Sequence, residues 1–491
     1  YYVMSTGSTN YKVTLELVRR AGTTAGMAFS ILRSRTHFST TVGAIGTVKT
    51  NANVLCTMVQ DSTNGLIRLY TQNKQWEVYL YSGDSNTGTV KAESNSLAEI
   101  LNYLRNNLSN TGTNFTIWLP RGYTLKNDDV AAFNNSTNFT NKNMTIISEG
   151  AVSGSNRKVD STTGTFLWDS VYPQFKSLTW KNAFFRSDFL EPEHVYTMHG
   201  NGHNLTFENC TFTGDVTINA GGNGTQGTSG STLTLKNCVN VNKIYASKQQ
   251  DGLGNTRINV ESCTGYTGTG GGFITINPAY YTVKDLEINL TDCIAKIDPT
   301  YTYTAKVNGD YTLTATNAQL MFINPNVSSG HTSKVYLNKD SSGHEIVLWG
   351  NCEGSILKGS SSLYVTAKVR PKDATSVNLD YFDQIEINGG ELHLGDATRS
   401  VEGGFGSSSR AADVSLKNSG KLMLDYLSSA TANRTINSLT TDSTNTEVSV
   451  TYDYTSGTTS PSGRPLIIKN TLTVPTNSKL RVSTTLQPKH K

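Results

Sequence analysis

Leu205-Thr-Phe207-Glu-Asn209-Cys210 is followed, 28 residues on, by Leu233-Thr-Leu235-Lys-Asn237-Cys238. The frame returns as Ile258-Asn-Val260-Glu-Ser262-Cys263, Ile288-Asn-Leu290-Thr-Asp292-Cys293 and Val347-Leu-Trp349-Gly-Asn351-Cys352. With a small residue in place of Cys it reads Leu178-Thr-Trp180-Lys-Asn182-Ala183, Val414-Ser-Leu416-Lys-Asn418-Ser419 and Leu466-Ile-Ile468-Lys-Asn470-Thr471. From 183 to 210, 238, 263 and 293 the steps are 27, 28, 25 and 30 residues, and the 59 residues from 293 to 352 make about two more. A period of ~20–50 residues marks stacked repeats, and propeller blades need ~40–50. The shorter step fits one solenoid coil of short strands and turns.

The frame has a physical logic. Two apolar residues at period 2 put both side chains on one strand face, toward the coil interior. The Asn, Ser or Asp that follows sits where the chain turns sharply, and Asn tolerates the left-handed conformation best among non-glycine residues. Stacked rung on rung, this position predicts a ladder of hydrogen-bonded Asn side chains. The Cys slot begins the next strand and points inward, and Ala, Ser and Thr there show that it wants something small. The cysteines therefore read as free core thiols. Rungs ~4.8 Å apart also lie within disulfide reach, so bridging stays open. No Cys-x-x-Cys pair occurs among the six cysteines, so a zinc site is not expected.

These repeats make the chain resemble the pectate-lyase-like superfamily of right-handed parallel β-helices over roughly residues 91–491. The resemblance implies an all-β solenoid of ~25–30 residues per coil and is almost silent on activity. Such a stack needs its open end covered. Ser96-Leu-Ala-Glu99 is a capping box, and Leu97, Ile100, Leu101, Leu104 and Leu108 recur at helical spacing. A short N-terminal capping helix is thus expected near 96–108. Phe115-Thr-Ile117-Trp-Leu119-Pro-Arg-Gly122 follows, and helix then strand-Pro-x-Gly is similar to the opening of many chains of that superfamily. Residues 1–90 do not keep the coil period. Runs at Tyr11–Val18, Val54–Val59 and Trp76–Tyr81 predict a small β domain there. With Tyr1 inside a polar stretch and no cap read at the closing Lys-His-Lys, the chain is expected to be a portion of a longer natural protein.

The charge balance, 42 Lys and Arg against 38 Asp and Glu, gives +4, too even for a nucleic-acid or anionic-membrane partner. No apolar run approaches the ~18–20 residues of a membrane helix, so no membrane insertion is expected. No cofactor or metal is expected either.

Acid/base hydrolysis needs two placed carboxylates. The sole adjacent Asp pair, Asp128-Asp129, lies near the capping end, away from the mid-coil stack. A lyase needs a base beside a cation site. Arg370-Pro-Lys372-Asp373 is a faint echo of an Arg-x-Pro turn and lacks an acidic cluster nearby, so a solvated loop is the plainer reading. Glu191-Pro-Glu193-His194-Val-Tyr196-Thr-Met-His199-Gly-Asn-Gly-His203 is chemically dense, with three of the eight histidines, yet reads as a coil corner and strand. No catalytic residues are assigned.

The 23 Tyr outnumber 16 Phe and 5 Trp, and a Tyr ring offers sugars a flat apolar face with a polar edge. Tyr266, Tyr280, Tyr281, Tyr301, Tyr303 and Tyr311 fall in consecutive coils and are the candidate carbohydrate-binding residues. The plain alternative is that some of them pack inward. The expected function is a secreted or cell-surface adhesin that holds a polysaccharide or host glycan without turning it over. A divergent polysaccharide lyase or hydrolase, and a phage tail spike or structural fibre, are the alternatives.

Overall fold

In the computed structural model the described residues are 78–83, 86, 90–94, 96–107, 114–119, 127–134, 142–148, 175–186, 196–199, 204–213, 216–220, 230–246, 254–268, 271–278, 282–298, 307–357, 359–372, 377–394, 411–424, 435–442, 445–452, 466–476 and 481–486, with shorter strand segments upstream. The chain divides into two compact units, Tyr1–Phe166 with Lys181–Ala183, and Leu167–Trp180 with Phe184–Lys491.

In the first unit, Val78–Ser82 pairs antiparallel with both Val90–Ser94 and Asn114–Leu119, and Asn114–Leu119 pairs in parallel with Asn143–Ser148. Leu66–Thr71 lies antiparallel between Phe29–Arg33 and Cys56–Asp61. The predicted helix is α1, Leu97–Asn107, which buries Leu97, Ala98, Ile100, Leu101 and Leu104. Leu108 lies outside the described residues. Ser96 Oγ accepts the Glu99 amide at 3.4 Å, as a capping box requires. The Glu99 carboxylate turns to the Ser94 hydroxyl instead of the Ser96 amide, which donates to Ser94 Oγ at 3.2 Å. A second helix, α2, spans Asn127–Asn134. Its wholly buried Asp129 accepts the Ala98 amide at 2.7 Å, so the Asp128-Asp129 pair helps to tie two helices together.

The second unit is a parallel β-solenoid. One inward position passes in register through Leu205, Leu233, Ile258, Ile288, Leu313, Val335, Leu363, Ile385, Val414 and Leu439. The partner of Leu439 in the next coil, Leu472, follows a register shift and is exposed. The coil length varies more widely than the repeat suggested, from 22 residues between Leu313 and Val335 to 33 between Leu439 and Leu472. Alternate residues of this first column face the interior, and each fully buried Leu or Ile contributes about 1.5–3 kcal/mol. A second column of strands follows the turn: the later part of Leu286–Ile297, the later part of Tyr311–Ile323, then Ile346–Glu353, Lys368–Pro371, Glu391–His393, Lys421–Leu424, Glu447–Tyr452 and Arg481–Leu486.

The turn between the columns is the Asn position. Asn182, Asn209, Asn237, Ser262, Asp292, Asn317 and Asn418 all adopt positive φ, between 46° and 56°. Their side chains form the expected ladder. Asn237 donates to Asn209 at 3.3 Å, Ser262 and Asn317 donate to Asp292 at 3.0 and 3.3 Å, and Asn418 donates to Asn388 at 2.7 Å. Cys210, Cys238, Cys263, Cys293 and Cys352 are free, buried thiols.

Two of the quoted frames do not fall on this turn. Cys352 is in register with Phe322 and Leu379, and the left-handed residue in its strand is Gly350 (φ 63°). The coil that stacks on Asp292-Cys293 is Leu313-Thr-Ala315-Thr-Asn317-Ala318. Asn470 instead donates to Asn437, which donates to Asp413 at 2.7 Å, a separate ladder at the entry to the first column.

Candidate functional site

The second column carries an irregularity that shapes its outer surface. Leu320 is paired with Leu348 and Phe322 with Cys352, so Met321 alone is opposed by Trp349, Gly350 and Asn351. Such a bulge re-aims the side chains it contains. Gly350 suits this place: its φ is 63°, strained for a residue with a side chain, and a Cβ would come within 2.8 Å of Met321 Sδ. Trp349 is left half-buried on the outer surface. The Lys372 ammonium stands 5.5 Å from its ring centroid, a cation–π distance. A second segment reaches the same place. Gly271 and Gly272 take φ of 73° and 75° and deliver Phe273, whose ring lies 6.2 Å from Trp349 and tilted by 42°.

Immediately beside this aromatic shelf is a cleft of about 410 Å³, lined in part by Gly272 and Val347. Ile294, Gln319 and Val347 share one outward register line and form its floor. Asp292, Asn317, Asn240, Thr264, Thr267 and Glu345 also line it. Glu345 is ion-paired to Lys368, which begins a line of register partners with alternating charge, Lys368, Glu391, Lys421 and Glu447. Lys421 holds Glu391 at 2.6 Å, and Glu345 is paired with both Lys368 and Arg370. Lys368 and then Arg370 hold the Glu345 carboxyl below the usual carboxylate range, against the opposing effect of burial. Arg370, read from sequence as belonging to a solvated loop, is thus part of a strand and an ion-pair network.

The first column displays a different surface. Thr206, Thr234, Asn259, Asn289, Thr314, Tyr336, Tyr364 and Glu386 occupy one outward line. Asn289 donates to Asn259 at 3.0 Å and to Glu287 at 2.8 Å. Tyr336 and Tyr364 stack at 4.8 Å, with ring planes 11° apart, so each directs one face at the other and less aromatic surface is left for a sugar ring. A polar groove of about 450 Å³ lies at the entry to this column, lined by Arg257, Glu287, Asp285 and Asp310 among others. Arg257 and Glu287 are paired at 2.7 Å, while Asp285 and Asp310 accept the amides of Asp310 and Thr332, at 2.9 and 2.7 Å. The charged groups of this groove largely serve the scaffold.

Of the tyrosines named from sequence, Tyr266 and Tyr311 are among the described residues. Tyr311 is wholly buried, which overturns its assignment as a sugar contact. It occupies the inward line with Leu313 and Ala315, and burial pushes its hydroxyl pKa up. The alternation Tyr311-x-Leu313-x-Ala315 was the legible sign. Tyr266 is half-buried and folded onto its own loop, since a Cβ on Gly268 would come within 2.3 Å of its hydroxyl. Tyr280, Tyr281, Tyr301 and Tyr303 lie outside the described residues. The histidine-rich segment is described only as the strand Tyr196–His199, paired with Val216–Asn219. Sequence reasoning missed Tyr336, Tyr364, Phe273 and Trp349 as surface residues. For the two tyrosines, the inward neighbours Val335, Leu337, Leu363 and Val365 were the available signal.

Two carboxylates of adjacent rungs, Glu353 and Asp380, are register partners. Burial, and then the charge of Asp380, push the Glu353 carboxyl up, opposed by a hydrogen bond from Asn351. Among the described residues no three His, Cys, Asp or Glu side chains are placed to hold a metal ion, and no helix is long and apolar enough to cross a membrane. Comparison with protein-family models, with curated proteins and with solved structures gives no match.

Proposed function

We propose that this protein is a secreted or cell-surface adhesin that holds a polysaccharide or host glycan on the outer surface of its solenoid, without catalysis. The observation that carries the reading is the bulge-displayed Trp349, set against Phe273 beside a 410 Å³ cleft. Aromatic rings next to a concavity with a few convergent polar groups suit a ligand with apolar C–H faces and hydroxyl edges. The fold we assign is the right-handed, pectate-lyase-like β-helix. It is supported by left-handed Asn turns that stack in ladders and by the small inward residue after each, and right-handed crossovers are the rule for parallel strands. A glycan array, followed by titration of its best hit against Trp349→Ala, tests the binding. At least tenfold weaker binding is expected for the variant. An array without a single bound saccharide sinks the reading.

A second reading, a polysaccharide-cleaving enzyme, has one observation in its favour. Glu353 and Asp380 are adjacent carboxylates, and the raised carboxyl of Glu353 is suited to a general acid. It predicts release of reducing or unsaturated ends from some polysaccharide, abolished by Glu353→Gln. Binding without any product release from a broad panel leaves the adhesin.

A further inference from the structure

We infer that the cleft beside Trp349 selects neutral over acidic saccharides, a specificity that rests on the glycan-binding reading above. The cleft combines two chemistries. Its floor has apolar side chains, Ile294 and Val347, against which the C–H face of a pyranose ring packs. Gln319 on the same floor, and Asn240, Asp292 and Glu345 elsewhere in the lining, are groups that exchange hydrogen bonds with hydroxyls.

The charged side chains lining the cleft are both carboxylates, Asp292 and Glu345. Asp292 is tied into the turn ladder by Ser262 and Asn317. Those partners are neutral, so its negative charge is uncompensated by them. Glu345 is balanced by Lys368 and Arg370, which are thereby engaged by a carboxylate of the protein and are not among the residues lining the cavity. A sugar hydroxyl donates readily to either carboxylate. A uronate or sialate group brought into the cavity meets like charge, because Lys372, over the Trp349 ring, is like Lys368 and Arg370 not among the residues that line it. Neutral hexose units therefore fit the cleft and acidic units are turned away.

A matched pair of ligands tests this directly. Galactose and galacturonate oligomers of equal length differ at each ring chiefly by a carboxylate at C6. Calorimetric titration of the full chain at low salt is expected to show the neutral oligomer binding at least tenfold more tightly. The same comparison with glucose and glucuronate oligomers separates charge from hydroxyl stereochemistry. Asp292→Asn keeps a residue that tolerates the left-handed turn and can still hydrogen-bond in the ladder. It should narrow the gap by about three- to tenfold with an unchanged melting temperature. Glu345→Gln, which releases Lys368 and Arg370, should narrow it further. Equal or tighter binding of the acidic oligomers overturns the inference while leaving the glycan-binding reading intact. Failure of every saccharide to bind removes both.

Discussion

Asn237 has two duties at once. Its backbone takes φ 52°, and its amide bridges to Asn209. For a residue with a Cβ, the left-handed conformation costs roughly 1–2 kcal/mol, and Asn lowers that cost through local hydrogen bonding. Asn237→Ala should therefore lose about 1–2 kcal/mol of stability by denaturant unfolding, and Asn237→Gly distinctly less, because glycine is free at this φ. Equal losses would mean that the ladder, and not the backbone, dominates. The neighbouring thiols make a different case. Cys293 is pushed up to about 12 by burial first, then by the charges of Cys263 and Asp292. Burial likewise pushes Cys352 up to about 12. Only the thiolate reacts, so these groups should resist a disulfide reagent at pH 8 in the folded protein and react after denaturation. Rapid labelling of Cys293 or Cys352 in native protein would refute that.

At the scale of the element, the line Lys368, Glu391, Lys421, Glu447, with Glu345 ion-paired to Lys368, gives the second column an electrostatic register. Each pair is partly exposed and individually weak, on the order of 0–1 kcal/mol. A register slip in this parallel stack would move alternating charges out of opposition. Lys421→Glu would place three carboxylates in succession. Its melting temperature should fall below that of Lys421→Ala, and added salt should close the gap. The carboxyls of Glu345 and Glu391 are held low, chiefly by Lys368 and Lys421 respectively. A lowered folded-state value means that their stabilisation is present above the ordinary unfolded value near ~4.3 and is lost as pH falls through the folded value. Acidification below about pH 4 should thus lower the melting temperature, and Lys421→Ala should flatten that dependence.

Much of this element was legible beforehand. The turns at 182, 209, 237, 262, 292 and 418 follow from apolar alternation ending in Asn, Ser or Asp. The coil at Asn317 was passed over because its second inward residue is Ala315, which scarcely reads as apolar beside Leu and Phe. The frame at Asn351 misled because a bulge imitates the spacing of a turn: Gly350 takes the left-handed conformation one residue early. The aromatic shelf was hidden for the same reason. Trp349 and Phe273 are 76 residues apart in the chain, and what joins them is a bulge and a double-glycine loop, neither of which has a period.

At the scale of the whole molecule, each solenoid coil rests on its neighbours, so damage should stay local. Leu363 is wholly buried between Val335 and Ile385. Leu363→Ala should cost about 2–5 kcal/mol. Hydrogen exchange should show lost protection in Ser333–Asn338 and Gln384–Asn388, with Asn204–Glu208 unaffected; uniform loss would contradict nearest-neighbour coupling. The bulge at Trp349 has a consequence of the same origin. Two surplus residues are taken up opposite Met321, with pairing resumed at Leu348 and Cys352, and the next coil meets this strand with two strands, Lys368–Pro371 and Asn378–Asp380, in place of one. The scaffold can therefore accept insertions and exchanges at this spot while the strand pairings on either flank keep their register. What is displayed there is free to change from one variant to the next, while the turns that fix the coils stay under constraint.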